Sequence, residues 1–208
     1  VNRPGKIVCV GRNYVKHAAE LGNIVPKEPL LFLKPPSSVI FDGDAIVLPE
    51  VSKQVEYEAE IGVVIGATLK MAGEDEAVQA VAGITCVNDV TARDLQKSDG
   101  QWTRAKGFDT FCAVGPRIVP ISDLGSLDAI RVVCRVNGTE KQNGLSADMA
   151  FSVPIVLSHI SQIMTLEPGD LVATGTPEGV GPLHPGDVVE VEIPGVGKIS
   201  NPVVAGSG

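Results

Sequence analysis

The sequence is poor in the side chains that soft-metal and disulfide chemistry requires. It has three histidines (His17, His159, His184) and four cysteines (Cys9, Cys86, Cys112, Cys134), none of them in a Cys-x-x-Cys pair. That set argues against a structural zinc site. Three of the cysteines lie in apolar, strand-like segments, which reads as buried free thiols in a reducing compartment. There is no run of lysine or arginine, and 17 basic residues against 25 acidic ones leave a formal charge of −8. Nucleic acid and anionic membranes are therefore poor partners. No segment approaches 18 uninterrupted apolar residues, so no membrane-spanning helix is expected. The first residues lack the apolar stretch and cleavage site of a signal peptide, so the expected compartment is the cytoplasm. Also missing are a Gly-x-Ser-x-Gly elbow, a His-Glu-x-x-His pair, a P-loop and a kinase motif set, which argues against a serine hydrolase, a zinc peptidase and phosphoryl transfer.

Glycine and proline are abundant, 23 and 15 of 208 residues, which favours many turns and strands over a helical bundle. The length suits one domain over 1–208 with a sizeable core, and no linker interrupts it. The Gly206-Ser207-Gly208 end carries no weight in the fold reading.

The most informative stretch is Gln54 to Gly66. It ends in an apolar, β-branched run that reads as a buried strand. Side chains alternate along a strand, so Glu56, Glu58 and Glu60 share one face, with neighbouring Cα atoms about 6.6 Å apart. Carboxylates on a partly buried face repel one another and lose hydration. A hard divalent cation with oxygen ligands is the simplest compensation. An isolated Glu-x-Glu-x-Glu also describes a solvated edge strand.

Other segments add candidates. Ile7 to Val10 reads as a short strand, followed by a short helix with Asn13 as N-cap and Gly22 as C-cap. On that helix His17 and Glu20 are three residues apart and meet on one face. That makes them either a proton-transfer pair or a surface i,i+3 contact. Leu30 to Leu33 reads as a buried strand with Lys34 at its end, and Ala45 to Pro49 as another strand. A helix is expected over roughly Glu74 to Ala82, then a buried strand from Gly83 to Asp89. Asp89 ends that strand as a ligand or as a turn cap. The capping-box spacing of Thr91 and Asp94 predicts a helix start. Trp102 to Phe111 reads as an aromatic-rich loop with two cations. Strands then dominate, with a hairpin turn at Asn137-Gly138 and a proline-initiated helix between Asp148 and Met164 that carries His159. Thr174 to Pro182 reads as a backbone-rich binding loop without the Gly-Lys-Ser/Thr ending of a P-loop.

Six motifs occur together in one order. They are Val10-Gly11-Arg12-Asn13-Tyr14 with His17 and Glu20; Phe32-Leu33-Lys34-Pro35; Glu58-Ala59-Glu60-Ile61-Gly62; Asn88 to Gln96; Lys106-Gly107-Phe108; and Thr174 to Gly181. In this combination the chain, over about Lys6 to Pro202, resembles the fumarylacetoacetate hydrolase family. It is most similar to the single-domain branch of acylpyruvate hydrolases and oxaloacetate decarboxylases. The resemblance implies an α+β, mostly β fold, a mixed β-sandwich roll with a few short helices, usually as a homodimer. It implies one Mg²⁺ or Mn²⁺ per subunit held by Glu58, Glu60 and Asp89, with Glu56 outside the ligand set. His17 and Glu20 match the catalytic dyad, and Lys106 matches a lysine facing the substrate. Arg12, Lys34, Gln96 and Thr176 match substrate-contacting positions.

The activity so implied is metal-dependent cleavage of a C–C bond in a short 2-oxo acid, by acylpyruvate hydrolysis, oxaloacetate decarboxylation or both. It runs through a metal-stabilised pyruvate enolate, with His17 and Glu20 activating water. Two other readings stand beside it. One is a 2-hydroxyhepta-2,4-diene-1,7-dioate isomerase or 5-carboxymethyl-2-oxo-hex-3-ene-1,7-dioate decarboxylase of aromatic-compound degradation. The other is a non-catalytic metal- or ligand-binding β-domain, which would have no use for the His17–Glu20 pair. The segment from His17 to Pro26 suits a lid that orders over bound substrate.

Overall fold

The computed structural model describes residues 2–206, so the last two residues of the Gly206-Ser207-Gly208 end lie outside the described residues. The chain is mostly strand with short helices, as an α+β, mostly β roll requires. A seven-stranded mixed sheet has the order Leu30–Lys34, Ile7–Gly11, Leu171–Ala173, Ala59–Ile65, Val81–Asp89, Cys112–Val119, Val39–Ile40. A five-stranded sheet has the order Thr139–Leu145, Arg131–Val136, Val188–Ile193, Gly197–Ala205, Ile46–Leu48. A small third sheet joins Gly181–Pro182, Val55–Tyr57 and Thr91–Ala92. No helix among the described residues is long and apolar enough to cross a membrane.

Both faces of the large sheet are apolar, and period-two alternation assigns each side chain to one of them. On one face Val8, Val10, Ile61, Val63, Ile84 and Cys86 join a core. The five-stranded sheet contributes Val132, Cys134, Val189, Val191 and Ile199 to it, and the Val153–Ile163 helix contributes Val156, Leu157 and Ile160. On the other face Ile7, Cys9, Val64, Val87, Cys112, Val114, Leu171 and Ala173 form a second buried cluster with Phe32 and Phe41 against it. By the same alternation Lys34 follows Phe32, Glu60 precedes Val64 and Asp89 follows Val87, so these three polar side chains lie on the second face. Lys34 and Asp89 sit on strands four spacings apart, about 19 Å on a flat sheet. Their side chains nonetheless meet at 2.6 Å. The sheet is therefore curled, and the second cluster with its charged end lies on the inside of the curl.

Local elements follow the sequence expectations with informative departures. Asn137 and Gly138 take φ of +52° and +76°, as a tight hairpin turn demands. The Gln54–Gly66 stretch divides into two strands in different sheets, with Glu58 at the switch. Leu30–Lys34 lies at a sheet edge with Leu33 48% exposed, so it is half-buried where the sequence predicts burial. Asn13 does not cap the first helix, Val15–Glu20, which starts from Tyr14 and ends at Leu21 rather than Gly22. Instead the buried Asn13 side chain donates to the carbonyls of Phe151 and Thr174 and accepts from the Phe151 N–H. The second helix stops at Gln79 because the Ala80 carbonyl is taken by Gly66 and Ala67 and the chain enters the sheet at Val81. The Thr91 hydroxyl turns back to the Asp89 carbonyl, and Asp94 accepts from Ser52 and Lys53. No capping box forms there, and the helix is Arg93–Asp99. The expected loop at Trp102 holds a helical turn, Thr103–Lys106.

Candidate active site

Glu58, Glu60 and Asp89 converge, each buried, with one carboxylate oxygen apiece lying within 4.8 Å of the others. Backbone pairing explains the convergence. The Asp89 N–H donates to the Glu58 carbonyl at 2.8 Å, and the Glu58 N–H donates to the Asn88 side-chain oxygen at 3.0 Å. The switch between strands thus stays clamped to the end of Val81–Asp89.

Cations surround the carboxylates unevenly. The Lys106 ammonium donates to Glu58 Oε2 at 2.7 Å and Asp89 Oδ2 at 2.6 Å. Lys34 donates to Asp89 Oδ1 and, at 3.1 Å, to the Val90 carbonyl. Arg93 reaches Glu56 at 2.8 Å and Glu58 at 2.6 Å. Burial opposes the charge on Glu58, but Lys106 and Arg93 outweigh it and hold the carboxyl far below the usual range. On Lys106 burial is likewise outweighed by Asp89 and Glu58, so the ammonium is held above the ordinary lysine range. Glu60 makes no ion pair among the described residues; it accepts one hydrogen bond, from the Gly175 N–H at 2.8 Å. Burial, then the charges of Asp89 and Glu58, push its carboxyl well above the usual range. A buried carboxylate outside any ion pair, beside two others, is the environment that a bound cation relieves. Three hard oxygen donors fit Mg²⁺ or Mn²⁺ better than a soft metal.

His17 is 5% exposed, and its Nδ1 lies 3.2 Å from Glu20 Oε2. Glu20 is itself held, with Oε1 accepting from the Gly179 N–H at 3.0 Å. Nδ1 faces the Glu20 carboxyl, so Nε2 is the ring nitrogen left without a hydrogen-bond partner among the described residues, on a ring that lines the cleft.

The cleft encloses about 320 Å³. It brings together His17, Glu58, Glu60, Asp89, Lys106, Arg12, Gln96 and Thr176. Lys34 is not among its lining residues; its side chain is fully buried behind Asp89. Thr176 reaches the cleft, but its hydroxyl donates to the Ala59 carbonyl and accepts from Gln142. Glu56 pairs with Arg93 and Gln54, outside the three-carboxylate group.

Sequence reasoning missed Arg93, Gln142 and Trp102. Arg93 lies inside one of the six motifs, flanked by acids and helix-forming residues that look like an exposed first turn, so its burial left no local signal. Gln142 sits on a strand whose neighbours are exposed. It accepts from the Ala59 N–H at 3.0 Å and donates to Thr176 and to the Pro177 carbonyl, which ties the Thr174–Gly181 loop to the glutamate strand.

Comparison with known proteins places these features in a group. Residues 6–204 match the family described as fumarylacetoacetate (FAA) hydrolase C-terminal. The human mitochondrial oxaloacetate tautomerase FAHD2A is 42% identical, over 98% of this chain and 68% of that protein. The crystal structure of 2-hydroxyhepta-2,4-diene-1,7-dioate isomerase from Mycobacterium marinum superposes with a TM-score of 0.90 at 43% identity, covering 99% of this chain and 77% of that one. Fumarylpyruvate hydrolase from Pseudomonas aeruginosa, solved in complex with Mn²⁺ and pyruvate, gives a TM-score of 0.90 at 32% identity over 97% of this chain and 90% of that one. The family match over nearly the whole chain and the likeness to these proteins show that the chain belongs to the fumarylacetoacetate hydrolase family.

Proposed function

We propose that the protein is a divalent-metal-dependent enzyme that cleaves a C–C bond in short 2-oxo acids, by acylpyruvate hydrolysis, oxaloacetate decarboxylation or both. The observation that carries this reading is the Glu60 carboxylate, outside any ion pair among the described residues and packed against Glu58 and Asp89, in a cleft that also holds a histidine–carboxylate pair. Glu58, Glu60 and Asp89 would hold Mg²⁺ or Mn²⁺, which when bound supplies Lewis acidity toward the C2 keto oxygen. The remaining work falls to side chains of this chain. Lys106 and Arg93 keep Glu58 ionised, and Lys34 and Lys106 hold the Asp89 carboxylate in place. Breaking the C3–C4 bond places negative charge on the C2 oxygen, and the buried Lys106 ammonium favours that charge as it develops. For an acylpyruvate, His17 takes a proton from water through Nε2 while Glu20 and the Gly179 N–H fix the ring, and the water attacks C4. For oxaloacetate, C4 departs as CO₂ and His17 has no water to activate.

A second reading uses the same residues. Moving a proton between C3 and the C2 oxygen needs a base beside a polarised keto group and no water. The likeness to proteins named as an isomerase and an oxaloacetate tautomerase favours keeping it. The proposal also places the protein in the cytoplasm as a homodimer, the latter checked by light scattering on a size-exclusion column.

The decisive experiment assays pyruvate release, CO₂ release and enol–keto conversion on acylpyruvates, oxaloacetate and dienoic diacids, with Mg²⁺, Mn²⁺ or EDTA. His17→Ala should lower C–C hydrolysis by about 10²–10⁴ with metal affinity unchanged. Full hydrolysis by that variant, or by the metal-free protein, would refute the assignment.

A further inference from the structure

We infer that Tyr57 is a positioning residue for the base: its hydroxyl fixes the backbone at Gly179 that holds Glu20, and through Glu20 it sets where the His17 ring lies. This rests on the reading of His17 as the group that activates water.

Three hydrogen bonds join the two side chains. The Tyr57 hydroxyl donates to the Gly179 carbonyl at 3.0 Å. The Gly179 N–H donates to Glu20 Oε1 at 3.0 Å. Glu20 Oε2 lies 3.2 Å from His17 Nδ1. The N–H and the carbonyl belong to the two peptide groups that flank one residue, so a partner that fixes the carbonyl also limits how the N–H can point.

That limit has to come from outside the loop. Gly179 has φ of +97°, and glycine exchanges such a backbone conformation for others at little steric cost. A Cβ there would lie 2.1 Å from the Lys141 carbonyl oxygen, so no side chain can stiffen the residue. Ahead of it the loop is held at intervals by other side chains. Glu60 accepts from the Gly175 N–H, and Gln142 donates to the Thr176 hydroxyl and the Pro177 carbonyl. Strand pairing resumes only at Gly181, opposite Tyr57. Between those points Tyr57 holds the Gly179 carbonyl. Lys16 approaches Glu178 at 3.6 Å, but that pair is exposed and contributes little to fixing the loop.

Tyr57 is placed to act on this loop without moving. It is 4% exposed, and its ring belongs to the same core as Val132, Cys134 and Val191. Its hydroxyl reaches the loop beside Gly181, where a Cβ would lie 2.9 Å from it. It is also the last residue of the Val55–Tyr57 strand, directly before Glu58. One short segment thus delivers a carboxylate to the metal site and a donor to the support of the base.

The test compares Tyr57→Phe, His17→Ala and the double variant in the Mn²⁺-loaded protein. The readouts are pyruvate release from 2,4-dioxopentanoate and CO₂ release from oxaloacetate. Phenylalanine keeps the ring in the core and removes only the donor. Tyr57→Phe should lower kcat for hydrolysis about tenfold, the worth of one neutral hydrogen bond. KM and the rate of CO₂ release should change by less than about twofold, because decarboxylation gives His17 no water to activate. In the His17→Ala background the tyrosine change should have no further effect on hydrolysis. Undiminished hydrolysis by Tyr57→Phe, an equal fall in both reactions, or the same loss with and without His17 would overturn the positioning role, while hydrolysis by the unaltered protein still supports the reading of the site. An unaltered protein that acts on oxaloacetate but not on 2,4-dioxopentanoate would overturn this inference and leave the decarboxylase. One that acts on neither would overturn both.

Discussion

Replacing Glu60 with glutamine should stabilise the metal-free protein while removing its response to metal. The amide keeps the shape and the acceptor for the Gly175 N–H, so the change is chiefly one of charge. Each like-charged neighbour within 4.8 Å opposes Glu60 by about 3.5 kcal/mol at an effective dielectric constant of 20. Attraction from Lys106 offsets part of this, so a net gain of about 1–3 kcal/mol is expected, or about 2–12 °C in Tm for a chain of this size. The pH dependence has a definite sign. A carboxyl whose folded value is raised keeps its proton in the native state over a range where the unfolded chain has lost it. The burden on the unaltered protein is then absent below the ordinary carboxylate range. It grows as pH rises above about 4.5 and is complete above the raised value. Thermal melts of EDTA-treated protein should show the variant and the unaltered protein alike at pH 4 and diverging upward to pH 8. Mn²⁺ at 100 times its Kd should stabilise the unaltered protein by about 2.7 kcal/mol and the variant by far less. A variant less stable than the unaltered protein at pH 8, or one that keeps its full response to Mn²⁺, would refute the reasoning.

Other perturbations probe the surroundings. Lys106→Met leaves Glu58 and Asp89 short of a buried partner and should cost about 3–5 kcal/mol in urea unfolding of the metal-free protein. It should also lower turnover. Gly179→Ala is expected to cost at least about 2 kcal/mol, because the residue has φ of +97° and a Cβ there would lie 2.1 Å from the Lys141 carbonyl oxygen. The same change should slow turnover through the Gly179 N–H that holds Glu20. All four cysteines are free and buried, and burial pushes the Cys86 and Cys112 thiols up to about 12. An aromatic disulfide reagent at pH 8 should therefore label almost no thiol until the protein is unfolded, and fast labelling of the native protein would contradict the packing.

Alternation and motif order carried much of this structure in one dimension. Period two put Glu58 and Glu60 on one face, Asp89 at the end of an apolar run, and His17 one helical turn from Glu20, because all of these relations are settled within a few residues by backbone geometry. The sign of the φ angles at Asn137 and Gly138 was legible for the same reason. Which cation answers which carboxylate was not. Lys34 stands 55 residues before Asp89 and reads as a strand-end lysine in contact with substrate, yet the curl of the sheet turns it inward behind Asp89. Arg93 reads as part of an exposed helix start, and burial makes it the bridge between Glu56, Glu58 and Gln96. Asn13 reads as a helix cap and becomes a tie between three segments. Pairings of this kind depend on how far a sheet curls and what packs across it. That is a sum over many apolar contacts distant in sequence, so only the folded chain decides that Glu60, among the described residues, is left outside any ion pair.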